Sequence, residues 1–146
     1  MRRIDKDARA LIEGRLERAD VDISFNQWIA LKVIRDGVVA TAGDLSHELN
    51  ITTGATTRMI DTMEESGWIA RTRSGTDRRV VGLRLTDAGQ ATIDAVAPIV
   101  VGTWNDLITD FSRAEVDQFI ALLTRLYNAA EAQLGKETRH LKDAAE

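Results

Sequence analysis

TAGDLSHELNITTGATTRMIDTMEESGW occupies residues 41–68, and its spacing decides the fold. Thr41 can cap a short helix that buries Leu45 and Leu49, and Asn50 suits the left-handed conformation just past a helix end. Ile51 and Thr52 restart the chain. The apolar spacing then predicts a helix from about Thr53 to Ser66 with Ala55, Met59, Ile60 and Met63 facing inward, Gly67 closing it and Trp68 packing behind the stop. Two helices so close in sequence form a helix-turn-helix candidate over about residues 41–66.

Downstream the period changes from helical to two. Ile69 alternates with Ala70 and Arg71, and Val81, Leu83 and Leu85 alternate with Gly82 and Arg84, while Ser74-Gly75-Thr76-Asp77 between the runs is turn material. These features predict a two-stranded hairpin over about residues 68–86 with an arginine-rich tip. Upstream, Ala8, Leu11, Ile12, Leu16 and Ala19 fall on one face of a helix over residues 5–19. Ser24 and Gln27 have capping-box spacing, so a nearly all-apolar helix through Trp28, Ile29, Leu31 and Ile34 is expected up to the turn at Asp36-Gly37.

Two long helices complete the chain. Thr86 can cap one over residues 87–109, with Pro98 removing a backbone donor inside it. Ser112 and Glu115 form a second capping box, opening a helix through Phe119, Ile120, Leu123, Leu126, Tyr127 and Leu134, after which a polar tail is expected to fray. The order of elements is that of a mainly α (α+β) winged helix-turn-helix, here over 24–89, with additional terminal helices over 4–20 and 87–135. At 146 residues the chain fits one domain, 1–146.

Composition narrows the chemistry. With no cysteine, thiol nucleophiles, disulfides and cysteine-based redox sensing are excluded, and with only His47 and His140 there is no metal-ligand spacing. No cofactor is expected. Glu64 and Glu65 are adjacent on a helix, so their carboxylates diverge; with no nucleophile motif or phosphate loop present, an enzyme is not expected. The run from Ala95 to Asn105 is too short to span a bilayer, which predicts a cytoplasmic protein without a membrane partner. The net charge is −4, yet fifteen of the nineteen basic residues are Arg, and five of those (71, 73, 78, 79 and 84) lie between residues 71 and 84 against the single acid Asp77. A local basic patch on an acidic chain points to a directed anionic partner.

Thr52, Thr53, Gly54, Thr56, Thr57 and Arg58 open the second helix of the helix-turn-helix. They can be read as a cap with small surface residues. They can also be read as hydroxyls, methyls and exposed backbone that meet phosphates and base edges, with small residues permitting close approach. The hairpin arginines could merely protect strand edges, but mixed charges would do that equally well, and a surplus of one sign calls for an anion. Trp28, Trp68 and Trp104 read first as packing residues, with Trp28 and Trp104 as candidate walls of a ligand pocket.

The chain resembles the multiple antibiotic resistance regulator (MarR) family over nearly its whole length. The resemblance rests on Gln27-Trp28, Asp44-Leu45-Ser46 with Leu49, Thr57-Arg58-Met59-Ile60-Asp61 with Glu64, Gly67-Trp68-Ile69, Asp77-Arg78-Arg79, and Leu83-Arg84-Leu85-Thr86 with Gly89. Asn50 stands where family members commonly carry Gly, and Ser74-Gly75-Thr76 where many carry Pro before the wing Asp. The resemblance implies a transcriptional regulator, often a repressor released by a small aromatic or phenolic effector. It implies a homodimer built by the terminal helices that reads double-stranded DNA at an inverted-repeat operator. It places Thr52 to Arg58 in the major groove, Arg73, Arg78 and Arg79 on the wing at the minor groove, and Asp77 as the partner that orients a wing Arg. The residues alone leave one alternative open: a winged-helix interaction or assembly module without sequence-specific DNA recognition.

Overall fold

The fold is described by a computed structural model covering residues 2–73 and 81–143. Its elements follow in the order α1 (Arg2–Arg18), α2 (Phe25–Arg35), α3 (Ala42–Glu48), α4 (Thr53–Glu65), β1 (Ile69–Arg73), β2 (Val81–Leu85), α5 (Asp87–Leu107) and α6 (Arg113–Asp143). They fall into two compact units, Met1–Trp104 and Asn105–Glu146.

In the first unit, helix starts are fixed by side chains that satisfy otherwise unpaired backbone donors. Ser24 and Gln27 form the expected capping box of α2. Thr41 caps α3, and Asp44 returns the bond through its carboxylate, which accepts from the Thr41 N–H at 2.9 Å. Thr52 caps α4 by accepting from the Ala55 N–H at 3.3 Å. Asn50 takes φ +50° between the two helices, as a short polar residue past a helix end can.

The core runs through every element of this unit. Ile12 and Leu16 of α1, Ala30 and Leu31 of α2, Leu45 of α3, Ile60 and Met63 of α4, Ile69 of β1, and Ile93 and Val96 of α5 are all buried. α2 contributes Phe25, Leu31 and Ile34 to the core and half-buries Trp28, Ile29 and Val33 against it, as its all-round apolar pattern requires. β1 and β2 pair antiparallel with Ile69 opposite Leu85 and Arg71 opposite Leu83. The Leu83 N–H also reaches the Ala40 carbonyl at 2.9 Å, so the segment before α3 lies along the outer edge of β2. This pairing had no periodic signal in the sequence.

Behind the hairpin, Thr86 donates from its hydroxyl to the Gly67 carbonyl at 2.6 Å and accepts from the Gly89 N–H at 3.0 Å. Gly89 is there because α5 passes against the backbone of Trp68: a Cβ at this position would stand 2.1 Å from the Trp68 carbonyl oxygen.

In the second unit α6 starts at the predicted box, with the Glu115 carboxylate accepting from the Ser112 N–H at 2.8 Å. It continues to Asp143, past the Leu134 limit expected from the apolar stripe. The residues beyond Leu134 are mostly polar, but most are good helix formers, which favours continuation of the helix. Within the described residues no helix is long and apolar enough to cross a membrane.

Candidate nucleic-acid interface

The helix-turn-helix places the N-terminal end of α4 at the surface. Thr52, Thr53, Gly54, Thr57 and Arg58 are exposed, and a groove of about 340 Å³ lies beside them, lined by Ala42, Gly43 and Ser46 of α3 and Thr53, Thr56 and Thr57 of α4. The Thr57 hydroxyl donates to the Thr53 carbonyl at 2.9 Å and that of Ser46 to the Ile51 carbonyl at 2.8 Å, so both present lone pairs as acceptors. Small side chains on both walls leave room for another backbone to approach.

Thr56 corrects the expected set. It is 2% exposed, and its hydroxyl donates to the Thr52 carbonyl at 3.0 Å. Thr56, Ile60 and Met63 form the buried stripe of α4; Ile60 and Met63 are inward as expected, while Ala55 and Met59 are only half-buried and Thr56 completes the stripe in their place. Thr56 is a core residue under the groove, not a surface contact.

The hairpin arginines divide. Arg73 ends β1 opposite Val81, and Arg84 on β2 is exposed. Asp77, Arg78 and Arg79 lie outside the described residues. Arg71 behaves differently from the rest of the cluster: its guanidinium bridges Asp61 and Glu64 of α4, and its N–H donates to the Glu64 carboxylate at 3.3 Å. The hydrogen bond to Asp61 raises the Arg71 pKa still further, so the charge is permanent. Sequence reading counted Arg71 with the free positive charges. The missed signal was the i, i+3 spacing of Asp61 and Glu64, which puts two acids on one side of α4 next to the strand that follows.

Residues 23–81 match the MarR family model, and the match spans the helix-turn-helix and the hairpin together. Over these residues the chain is similar to the MarR family. Similar solved structures extend the likeness to the terminal helices. Wild-type MarR from E. coli in its apo form is 26% identical with a TM-score of 0.74, over 86% of this chain and 92% of that one. A cysteine-to-serine variant of E. coli MarR complexed with operator DNA is 26% identical with a TM-score of 0.71, over 86% and 89%. A MarR family protein from Bacillus stearothermophilus is 26% identical with a TM-score of 0.72, over 89% of both chains.

The two tryptophans expected at a pocket differ in their surroundings. Trp28 is half-buried and stacked on Phe25 with centroids 5.9 Å apart and an interplanar angle of 17°; Lys32 Nζ lies 5.8 Å from its ring centroid and its Nε1 donates to the Ile93 carbonyl at 3.3 Å. Those contacts tie α2 to α5. Trp104 on α5 is 44% exposed. His47 is exposed on α3, and within the described residues no cluster of His, Asp or Glu could hold a metal ion.

Proposed function

We propose that this protein is a MarR-family, sequence-specific, DNA-binding transcriptional regulator, a repressor that binds an inverted repeat as a homodimer and is released by a small aromatic or phenolic effector. The observation that carries this reading is the exposed start of α4, where Thr53, Gly54, Thr57 and Arg58 stand beside a groove walled by small residues. It occurs on a fold shared with E. coli MarR, of which one solved structure is complexed with operator DNA.

The chemistry fits a duplex. A helix N-terminus carries positive potential and unpaired N–H groups, which favour phosphate. Thr53 and Thr57 bring methyls and acceptor oxygens to base edges in the major groove, and Arg58, one turn in, reaches a phosphate or a guanine. Thr52 holds the helix start. Arg73, Arg78 and Arg79 serve the wing, at the minor groove or its phosphates, with Asp77 orienting one of them. Trp104 is the tryptophan left for an effector pocket. In this reading 24–89 is the DNA-binding part, and 4–20 and 87–135 are the dimerisation helices.

The dimer is supported by α6, which exposes Phe119, Ile120, Leu123, Leu126 and Tyr127 by 40% or more each. Apolar area of that extent marks an interface, and a second copy related by a twofold axis covers it most simply. Such a dimer reads half-sites centred about 10–10.5 bp apart. No catalytic role is proposed, and the site of action is the cytoplasm.

Footprinting on the DNA flanking the protein's own gene tests the reading. A protected near-palindrome supports it. Equal affinity for every duplex would instead favour an assembly module without sequence recognition.

A further inference from the structure

Of the arginines between residues 71 and 84, Arg71 has both terminal guanidinium nitrogens, Nη1 and Nη2, on carboxylates of α4. We propose that Arg71, Asp61 and Glu64 form a latch that sets the angle of the wing against α4, so that Arg71 positions the DNA-reading elements and does not itself contact phosphate. The proposal rests on the DNA-binding reading above.

Three observations support it. The first is register. Ile69 and Arg71 share a face of β1, and their pairing partners Leu85 and Leu83 lie on the same face of β2. Ile69 and Leu83 are buried and Leu85 packs against the core, so Arg71 continues that row outward. It is the tie to α4 farthest along β1 among the described residues, and β1 ends two residues later.

The second is connectivity. Asp61 and Glu64 are i, i+3 neighbours, and Arg71 engages both with separate nitrogens while its N–H also binds Glu64. An isolated exposed pair would contribute little, because ordering two flexible side chains offsets the attraction. A guanidinium forked between two helical carboxylates, with its own backbone attached to one of them, restrains direction as well as distance. The Thr86–Gly67 bond fixes the near end of the hairpin, so the hairpin is tied to the C-terminal part of α4 at two separated points instead of one.

The third is charge. Two carboxylates on one guanidinium leave the cluster net negative, which a phosphate would not approach. Freeing Arg71 for DNA would strand both acids beside the proposed interface.

The test uses the full-length protein, a duplex selected by the wild type from a random-sequence pool, and a scrambled duplex of equal length. Asp61→Asn with Glu64→Gln removes both carboxylates and leaves Arg71 in place. The latch predicts roughly tenfold weaker binding of the selected duplex and a change of less than about twofold on the scrambled one, with the slope of log K against log salt unaltered. Tighter binding of both duplexes would overturn it, since Arg71 would then act as a phosphate ligand once released. So would an Arg71→Ala variant that loses both duplexes in parallel with a slope smaller by about 1. Amide exchange supplies a readout without DNA. The double variant should exchange faster in Arg71 to Arg73 and Val81 to Leu85 with α2 and α5 unchanged, and identical exchange throughout would overturn the latch. If the wild type selects no sequence from the pool, the DNA-recognition reading fails, and exchange alone decides whether the latch exists.

Discussion

The Trp28 indole Nε1 donates to the Ile93 backbone carbonyl at 3.3 Å, joining α2 to α5 across 65 positions of sequence. The bond takes up a carbonyl inside α5 while the ring stacks on Phe25, so Trp28 combines apolar contact with one satisfied polar group. Trp28→Phe keeps most of the ring and loses the bond, for an expected loss of about 1 kcal/mol. Trp28→Ala removes both and should lose about 3 kcal/mol. Urea unfolding at unchanged m-value checks the pair; a Trp28→Phe protein as stable as the wild type would mean that the hydrogen bond contributes nothing.

Gly89 gives the sharpest steric prediction. An added Cβ would meet the Trp68 carbonyl oxygen at 2.1 Å and Leu85 Cδ1 at 2.7 Å, and the first of these is backbone that cannot rotate away. Gly89→Ala should therefore cost about 3 kcal/mol by forcing α5 off the hairpin. Gly14→Ala is the control, because nothing lies within 4 Å of its added Cβ in the middle of α1. It should gain about 0.5–1 kcal/mol from reduced backbone entropy in the unfolded chain. Thermal melting of both variants would contradict the account if the two shifted in the same direction.

How much of this was legible follows from where each signal resides. The caps of α2 and α6 and the change of period at Gly67 are local, so residues three apart or two apart carried them. Asn50 could be assigned a positive φ because only a turn between two capped helices fits there. Thr56 was misplaced because threonine reads as polar. Its hydroxyl bonds the carbonyl one turn back, which leaves the methyl free to be buried. The spacing Thr56, Ile60, Met63 did carry the buried stripe, and residue type overrode it. The Arg71 cluster and the Ala40–Leu83 bond join different elements, and no local period encodes such contacts.

Acid should weaken the start of α3 through Asp44. Hydrogen bonding from the Thr41 side chain, then from the Ala40 N–H, holds its carboxyl below the ordinary value of 3.8. A group whose pKa is depressed by folding contributes stability that is complete above its unfolded value and is lost as pH falls through the folded one. Asp44→Asn, which cannot ionise, should be less stable than the wild type at pH 5–7, and the gap should close as the pH drops below about 3.8. Urea midpoints of both proteins across this range give the comparison; a gap that acid does not diminish would show that the charge of Asp44 is irrelevant.

The exposed stripe of α6 sets an expectation for association. Leu123 and Leu126 are 40% and 57% exposed, so a charge at either position leaves the fold of one protomer intact but opposes burial against a second copy. The wild type should scatter light as twice the 16.1 kDa of one chain, and Leu123→Glu with Leu126→Glu as a single chain. A wild type of 16.1 kDa at micromolar concentration would remove the dimer, and with it the inverted repeat.

Thr53 and Thr56 stand three residues apart in α4 and should fail in opposite ways. Thr56 is 2% exposed and its hydroxyl is bonded to Thr52, so Thr56→Ala leaves a small cavity and an unmade bond. It should lower stability by about 1–2 kcal/mol and leave the base preference of the folded protein unchanged. Thr53 is exposed beside the groove, so Thr53→Ala should barely change unfolding. If its side chain meets a base edge directly, its loss should relax discrimination at that base pair by about 1–3 kcal/mol. In the proposed reading Arg79 serves the wing, so Arg79→Ala should differ from both, weakening selected and scrambled duplexes together and reducing the salt slope by about 1. Unfolding curves and duplex titrations on the three variants separate stability, base reading and phosphate contact. A Thr56→Ala protein that is fully stable and has altered base preference would return Thr56 to the contact set and refute its assignment to the core.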